Sequence, residues 1–138
     1  MNASNWLETA VLNHFFRSTA TTAPARVYLA LYISDPTDAD IGTEVQGGGY
    51  VRRQITFSAP VQADRPPPAQ GTRAQIQNTA EVRFPVATAN WGNISHFGIR
   101  TAATGGNLLA HAPVPTPRQI ENGDEAVFRV DALAVTLD

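Results

Sequence analysis

The stretch "RVYLALYI", residues 26–33, decides how this chain is to be read. Val27, Leu29, Leu31 and Ile33 alternate with Tyr28, Ala30 and Tyr32. A period of two, carried by β-branched and aromatic residues, predicts a strand. Both faces are apolar, so the strand lies inside a sheet or at a subunit interface.

The same reading extends toward the C-terminus. "YVRRQITF", 50–57, sets Val51, Ile55 and Phe57 against Tyr50, Arg52, Gln54 and Thr56. "AEVRFPV", 80–86, points Val82, Phe84 and Val86 inward, and Pro85 marks an edge or bulge. "NISHFGIRT", "TGGN" and "LLAHAPV" predict a hairpin across a glycine turn. "EAVFRV", 125–130, follows the turn signal "NGD", and "ALAVTLD", 132–138, alternates at Leu133, Val135 and Leu137. Seven or eight short strands with no helix between them predict a mainly β fold. We expect an antiparallel β-sandwich, jelly-roll-like, over about 25–138.

Toward the N-terminus the period changes. In "NWLETAVLNHFFR", Leu7, Val11 and Phe15 recur every four residues, flanked by Trp6, Leu12 and Phe16. This predicts one helix over about 5–17, with Asn5 as cap and Glu8 as its capping-box partner. The segment 59–75, "APVQADRPPPAQGTRAQ", breaks the rhythm. Its prolines donate no backbone hydrogen bonds, so it is expected to be an exposed, partly polyproline-like loop rather than a central strand.

Composition bounds the function. The chain has 138 residues, which suits one domain over 1–138. No cysteine is present, which excludes disulfides and thiolate chemistry. All ten basic residues are arginine, so lysine bases and the P-loop lysine are excluded as well. A net charge of −2 offers nucleic acid little attraction, although Arg52, Arg53, Arg65, Arg73 and Arg83 could gather on one side. No apolar run is long enough to span a bilayer, and the N-terminus lacks a basic segment, so we expect no membrane insertion, no signal peptide and synthesis in the cytoplasm.

Several constellations could carry chemistry. Gly47, Gly48 and Gly49 precede Tyr50 and a strand, whereas a phosphate loop follows a strand and opens a helix. They are therefore read with Tyr50 as loop architecture. Asp35, Asp38 and Asp40 match part of a calcium-loop spacing without its remainder, and turn-capping is the simpler role. No metal or other cofactor is expected. His96 and His111 fall on opposite arms of the expected hairpin. Glu81, Glu121 and Glu125 would make a glycosidase only if two of them met. Trp91 with Asn90 and Asn93 is the best candidate for a host-glycan platform. Trp6, Leu12, Phe16, Tyr28 and Tyr32 are more apolar surface than one small core needs, which makes them candidates for an oligomer interface.

Four blocks carry a family resemblance: "NWLETAVLNHFFR" at 5–17, "APARVYLALYISDPTDADIGTEVQGGGYVRRQITF" at 23–57, "ANWGNISHFGIRTAATGGNLLAHAPV" at 89–114 and "GDEAVFRVDALAVTLD" at 123–138. In this order they resemble small tailed-bacteriophage virion proteins of the tail-fibre or minor tail protein type. The resemblance implies a virion structural protein without enzymatic activity or catalytic residues. It implies a location on the tail or baseplate, assembly with itself as a symmetric oligomer, expected to be a trimer, and contact with other virion proteins. Capsid decoration and adhesion to a host surface glycan are the alternatives. The glycines at 47–49 and Tyr50 fall within the matching blocks, and the proline-rich 59–75 departs from the more compact pattern of such proteins.

Overall fold

The computed structural model describes residues 1–137. Strand β1 (Asn2–Ala3) is followed by helix α1 (Asn5–Phe16). Then come β2 (Val27–Tyr32), β3 (Arg53–Ile55), β4 (Val61–Asp64), β5 (Thr72–Gln77) and β6 (Val82–Arg83). The chain continues through β7 (Gly92–Arg100), β8 (Leu108–Ile120), β9 (Val127–Phe128) and β10 (Ala134–Leu137). All strand pairs are antiparallel. The fold is mainly β with one helix, as expected. The described residues form ten strands rather than seven or eight: β1 is a two-residue pairing too short to show a period, and β4 and β5 arise in or beside the segment 59–75 read as a loop.

The main sheet has the order β1-β8-β7-β2-β3. The doubly apolar β2 lies within it, between β7 and β3. On one face Leu29 and Leu31 join Phe97 and Ile99 of β7 in the core. The β6–β9 ribbon and its flanking loops cover that face with Val82, Phe84, Ala87, Trp91 and Leu133. Phe84 anchors an aromatic group, with ring centroids 6.0 Å from Tyr50, 6.5 Å from Trp91 and 6.2 Å from Phe128. The opposite face, carrying Ala30, Tyr32 and Gly98, is overlaid by the loop after β2. Pro36 there is fully buried, and a Cβ on Gly42 would lie 2.5 Å from its Cα. A β-sandwich is reached, its second layer built largely from loops.

Helix α1 is capped by Ser4, not Asn5. The Ser4 hydroxyl accepts from Leu7 N and donates to the Leu108 carbonyl, so the cap also ties the helix to β8. A serine buried between helix and sheet can do both; Asn5, one position later, is already helical. The helix buries none of its residues. On its apolar face Leu7 and Val11 are half-buried, while Phe15 and Phe16 are 73% and 79% exposed.

The proline-rich segment also differs from expectation. Residues 61–77 form a hairpin, and β5 is the central strand of a second sheet, β10-β5-β4. The prolines are confined to its tip, where Arg65 N bonds the Gly71 carbonyl and Ala69 N the Pro66 carbonyl. Proline bars a strand only where its missing N–H is needed, and the strands begin beyond it. Val86, expected inward, is 50% exposed, because the chain leaves the sheet at Pro85.

Candidate functional site

The three glycines form a turn with positive φ at all three residues (74°, 58° and 77°). Such angles favour glycine. The turn places the Gly48 carbonyl 2.8 Å from the Trp91 indole nitrogen, which donates to it. It also delivers Tyr50 to a polar group beside the core. The Tyr50 hydroxyl donates to Glu44 Oε1 and accepts from Leu31 N. Arg52 meets the same carboxylate through two nitrogens, each at 2.7 Å, and reaches the carbonyls of Ala102 and Gly105. Burial and the Glu44 charge push the Tyr50 phenol far above its ordinary range. The glycine turn and Tyr50 are thus bound into the packing between this loop, Trp91 and β2.

Asp35, Asp38 and Asp40 do not converge as an oxygen-ligand site. Asp35 accepts from Thr37 N, Asp38 bonds His111 Nε2 at 2.8 Å, and Asp40 pairs with Arg100 at 2.8 Å. Arg100 also donates to the Tyr32 hydroxyl and the Gly106 carbonyl. Burial alone would lower the Arg100 pKa; its bonds to Asp40 and Tyr32 outweigh that and raise it. Tyr32, offered as an interface residue, is 1% exposed and belongs to the interior. An alternating strand cannot reveal that a later loop covers its second face.

Trp91, offered as a glycan platform, is 4% exposed with its N–H engaged at Gly48, so no sugar can stack on it. Glu81 and Glu125 are gathered around one arginine, which their spacing did not show. Arg83 sits between them and pairs with both, filling the space a glycosidic bond would need. They rim a groove of about 870 Å³ between β8 and the β6–β9 ribbon, with Val114, Arg118 and Phe128 in its lining. The five arginines do not form one platform: Arg52 is engaged at Glu44, Arg83 lies on β6 and Arg73 on β5.

What remains is surface. Trp6, Leu12, Phe15 and Phe16 are 37%, 57%, 73% and 79% exposed on α1, and Tyr28 is half-buried at the start of β2. The β10-β5-β4 sheet is the larger feature. No residue of its strands is buried. Its register places Ala74, Ile76, Val135 and Leu137 on one face together with Thr72, Gln62 and Asp64, and Arg73, Gln75, Gln77 and Thr136 on the other together with Val61, Ala63 and Ala134, so the apolar patch lies on the β5–β10 side. Strands β4 and β10 are its two edges. The sequence could not show this face, because β4, β5 and β10 come from distant parts of the chain. No helix among the described residues is long and apolar enough to cross a membrane.

The family model described as Gp80, Podophage GP4 fiber I protein gp80, matches residues 2–136. No curated protein matches the chain. An open amphipathic sheet and an apolar helix on a small β-sandwich fit a component made to be joined to others. The chain belongs to the Gp80 family of podophage fibre proteins and is a phage virion component of the tail-fibre type.

Proposed function

We propose that the whole chain acts as one non-enzymatic structural domain of the fibre and assembles with itself as a symmetric oligomer, with three copies expected. One observation carries this reading: a three-stranded sheet none of whose strand residues is buried, with an apolar patch of Ala74, Ile76, Val135 and Leu137 on its β5–β10 side and with β4 and β10 as its edges. A sheet of this size is not stable without packing on one face. Strands β4 and β10 both run antiparallel to β5, so they run parallel to each other. The β4 edge of one copy can therefore meet the β10 edge of the next under a rotation. Cyclic closure leaves no edge open and buries the apolar faces together. Helix α1 supplies a second apolar surface, for a further copy or a neighbouring virion protein.

Sedimentation at micromolar concentration tests the reading. A multiple of 14.8 kDa is expected. Val135→Asp, on the apolar face, should give a folded subunit of lower mass. A wild-type chain that stays monomeric alone, and stands alone in a cryo-EM map of the parent particle, would sink the proposal. A position on the capsid lattice in that map would replace the fibre reading with the decoration one.

A further inference from the structure

Helix α1 carries an apolar stripe that its own subunit leaves open. Leu12, Phe15 and Phe16 are 57%, 73% and 79% exposed, and Glu8 stands one turn before Leu12. The spacing 8, 12, 15, 16 sets all four side chains on one side of the helix. The Glu8 carboxylate pairs with nothing among the described residues.

The groove between β8 and the β6–β9 ribbon has the complementary character. Three residues of the core, Leu31, Ile94 and Ile120, reach its lining, and Val114 and Phe128 beside them are only half-buried. Its carboxylates are already engaged, Glu81 and Glu125 by Arg83 and Asp124 by the Glu121 N–H. The Arg118 guanidinium is exposed and has no partner among the described residues. The groove thus offers an apolar floor and free positive charge to a stripe that is apolar with a free negative one. The dimensions agree as well. Glu8 and Phe16 are eight residues apart on the helix, about 12 Å. Arg118 and Val114 are four residues apart on β8, up to about 13 Å. The helix is held away from the groove of its own subunit: Ser4 ties its start to the Leu108 and Leu109 carbonyls at the beginning of β8, and the groove flanks that strand's other end.

We propose that α1 of one copy lies in this groove of a second copy, with Leu12, Phe15 and Phe16 against the apolar lining, Glu8 at Arg118 and Phe16 toward Val114. This is the recognition of an amphipathic helix by a groove, read through anchors one and two turns apart. The contact joins different surfaces on the two copies, so it can repeat under the same rotation as the β4–β10 edge contact. The inference rests on the oligomeric reading above and names the partner of α1 within it.

The chain has no cysteine, so introduced ones report without background. Phe16→Cys and Val114→Cys chains are purified separately, mixed at micromolar concentration and mildly oxidised, with sedimentation in parallel. The mixture should give disulfide-linked pairs of chains, because the bond needs Cα atoms within about 7 Å. Neither chain alone should do so, nor should Phe16→Cys mixed with Asp64→Cys on β4. Glu8→Arg should weaken association about fivefold, and adding Arg118→Glu should restore most of it. Both residues are exposed, so the subunit melts should stay near the wild type. No cross-link from an oligomer that Val135→Asp dissociates overturns the helix contact and leaves the sheet contact standing. Cross-linking from an oligomer that Val135→Asp leaves intact does the reverse. A charge reversal that restores nothing overturns the pairing of helix and groove, and a monomeric chain without cross-links overturns both contacts.

Discussion

The Trp91 indole nitrogen donates to the Gly48 carbonyl at 2.8 Å, and a Cβ placed on Gly48 would stand 2.9 Å from the same ring. The glycine turn and the tryptophan are thus fitted to each other. Trp91 in turn packs at 5.5 Å from Tyr50, which the turn positions. A change at Gly48 is therefore felt by the core.

Gly48→Val should cost roughly 3 kcal/mol, from the strain of a β-branched residue at positive φ together with overpacking against Trp91. Gly47→Ala, where a Cβ would meet nothing within 4 Å, should lose only the backbone part. Denaturant melts of the two variants check the order. A Gly48→Val protein as stable as Gly47→Ala would contradict this packing. ATP should shift neither melt.

Glu44→Ala should destabilise by about 3 kcal/mol, because it leaves a nearly buried guanidinium without its carboxylate. Glu44→Gln should cost less, since the amide oxygen still accepts from Arg52 or Tyr50. Urea midpoints compare the two, and equal losses would mean that the charge is irrelevant here.

Stability should fall at alkaline pH. Burial raises the phenol pKa of Tyr32, and burial with the Glu44 charge raises that of Tyr50. The folded state holds both neutral, so the unfolded chain gives up these protons first. This contribution is whole below pH 10.0, the ordinary value, and declines above it, by about 1.4 kcal/mol per pH unit for Tyr50, with Tyr32 acting in the same direction. Melts between pH 8 and 11.5, with phenolate absorbance followed in parallel, should show the decline, and Tyr50→Phe should shallow it. A wild-type curve flat to pH 11.5 would refute the assignment.

Phe15→Ser with Phe16→Ser should leave the melt of the isolated subunit nearly unchanged, because neither ring is buried. If α1 contacts a neighbour, the pair should reduce assembly or incorporation into particles. A large loss of subunit stability would show instead that the helix packs inward.

Shortening the hairpin tip by replacing residues 66–70 with Asn-Gly should preserve the far-UV spectrum, since the exposed tip adds no core. Removing β5 as well should abolish the second sheet, in which it is the central strand. Equal effects of the two deletions would mean that the tip itself holds the sheet together.

The sequence by itself determined the mainly β class, the single helix, the interior place of "RVYLALYI" and the β7–β8 hairpin. Each is written in a local period or a turn residue, and a family resemblance across the chain supplied the virion role. Tertiary structure alone decided the rest. Ser4 caps the helix because β8 supplies the carbonyl that its hydroxyl also needs. Tyr32 is interior because the loop that follows β2 folds back over it, and Trp91 because the distant Gly47–Gly49 turn packs on it. Asp40 pairs with Arg100 while Asp35 and Asp38 both reach His111, and His96 and His111 share the Asp35 carboxylate, only once β2, β7 and β8 are in register. The uncovered β10-β5-β4 face joins residues more than fifty positions apart. Periodicity reports which way a side chain points from its own strand; what meets it there depends on pairings and loops that only the folded chain brings together.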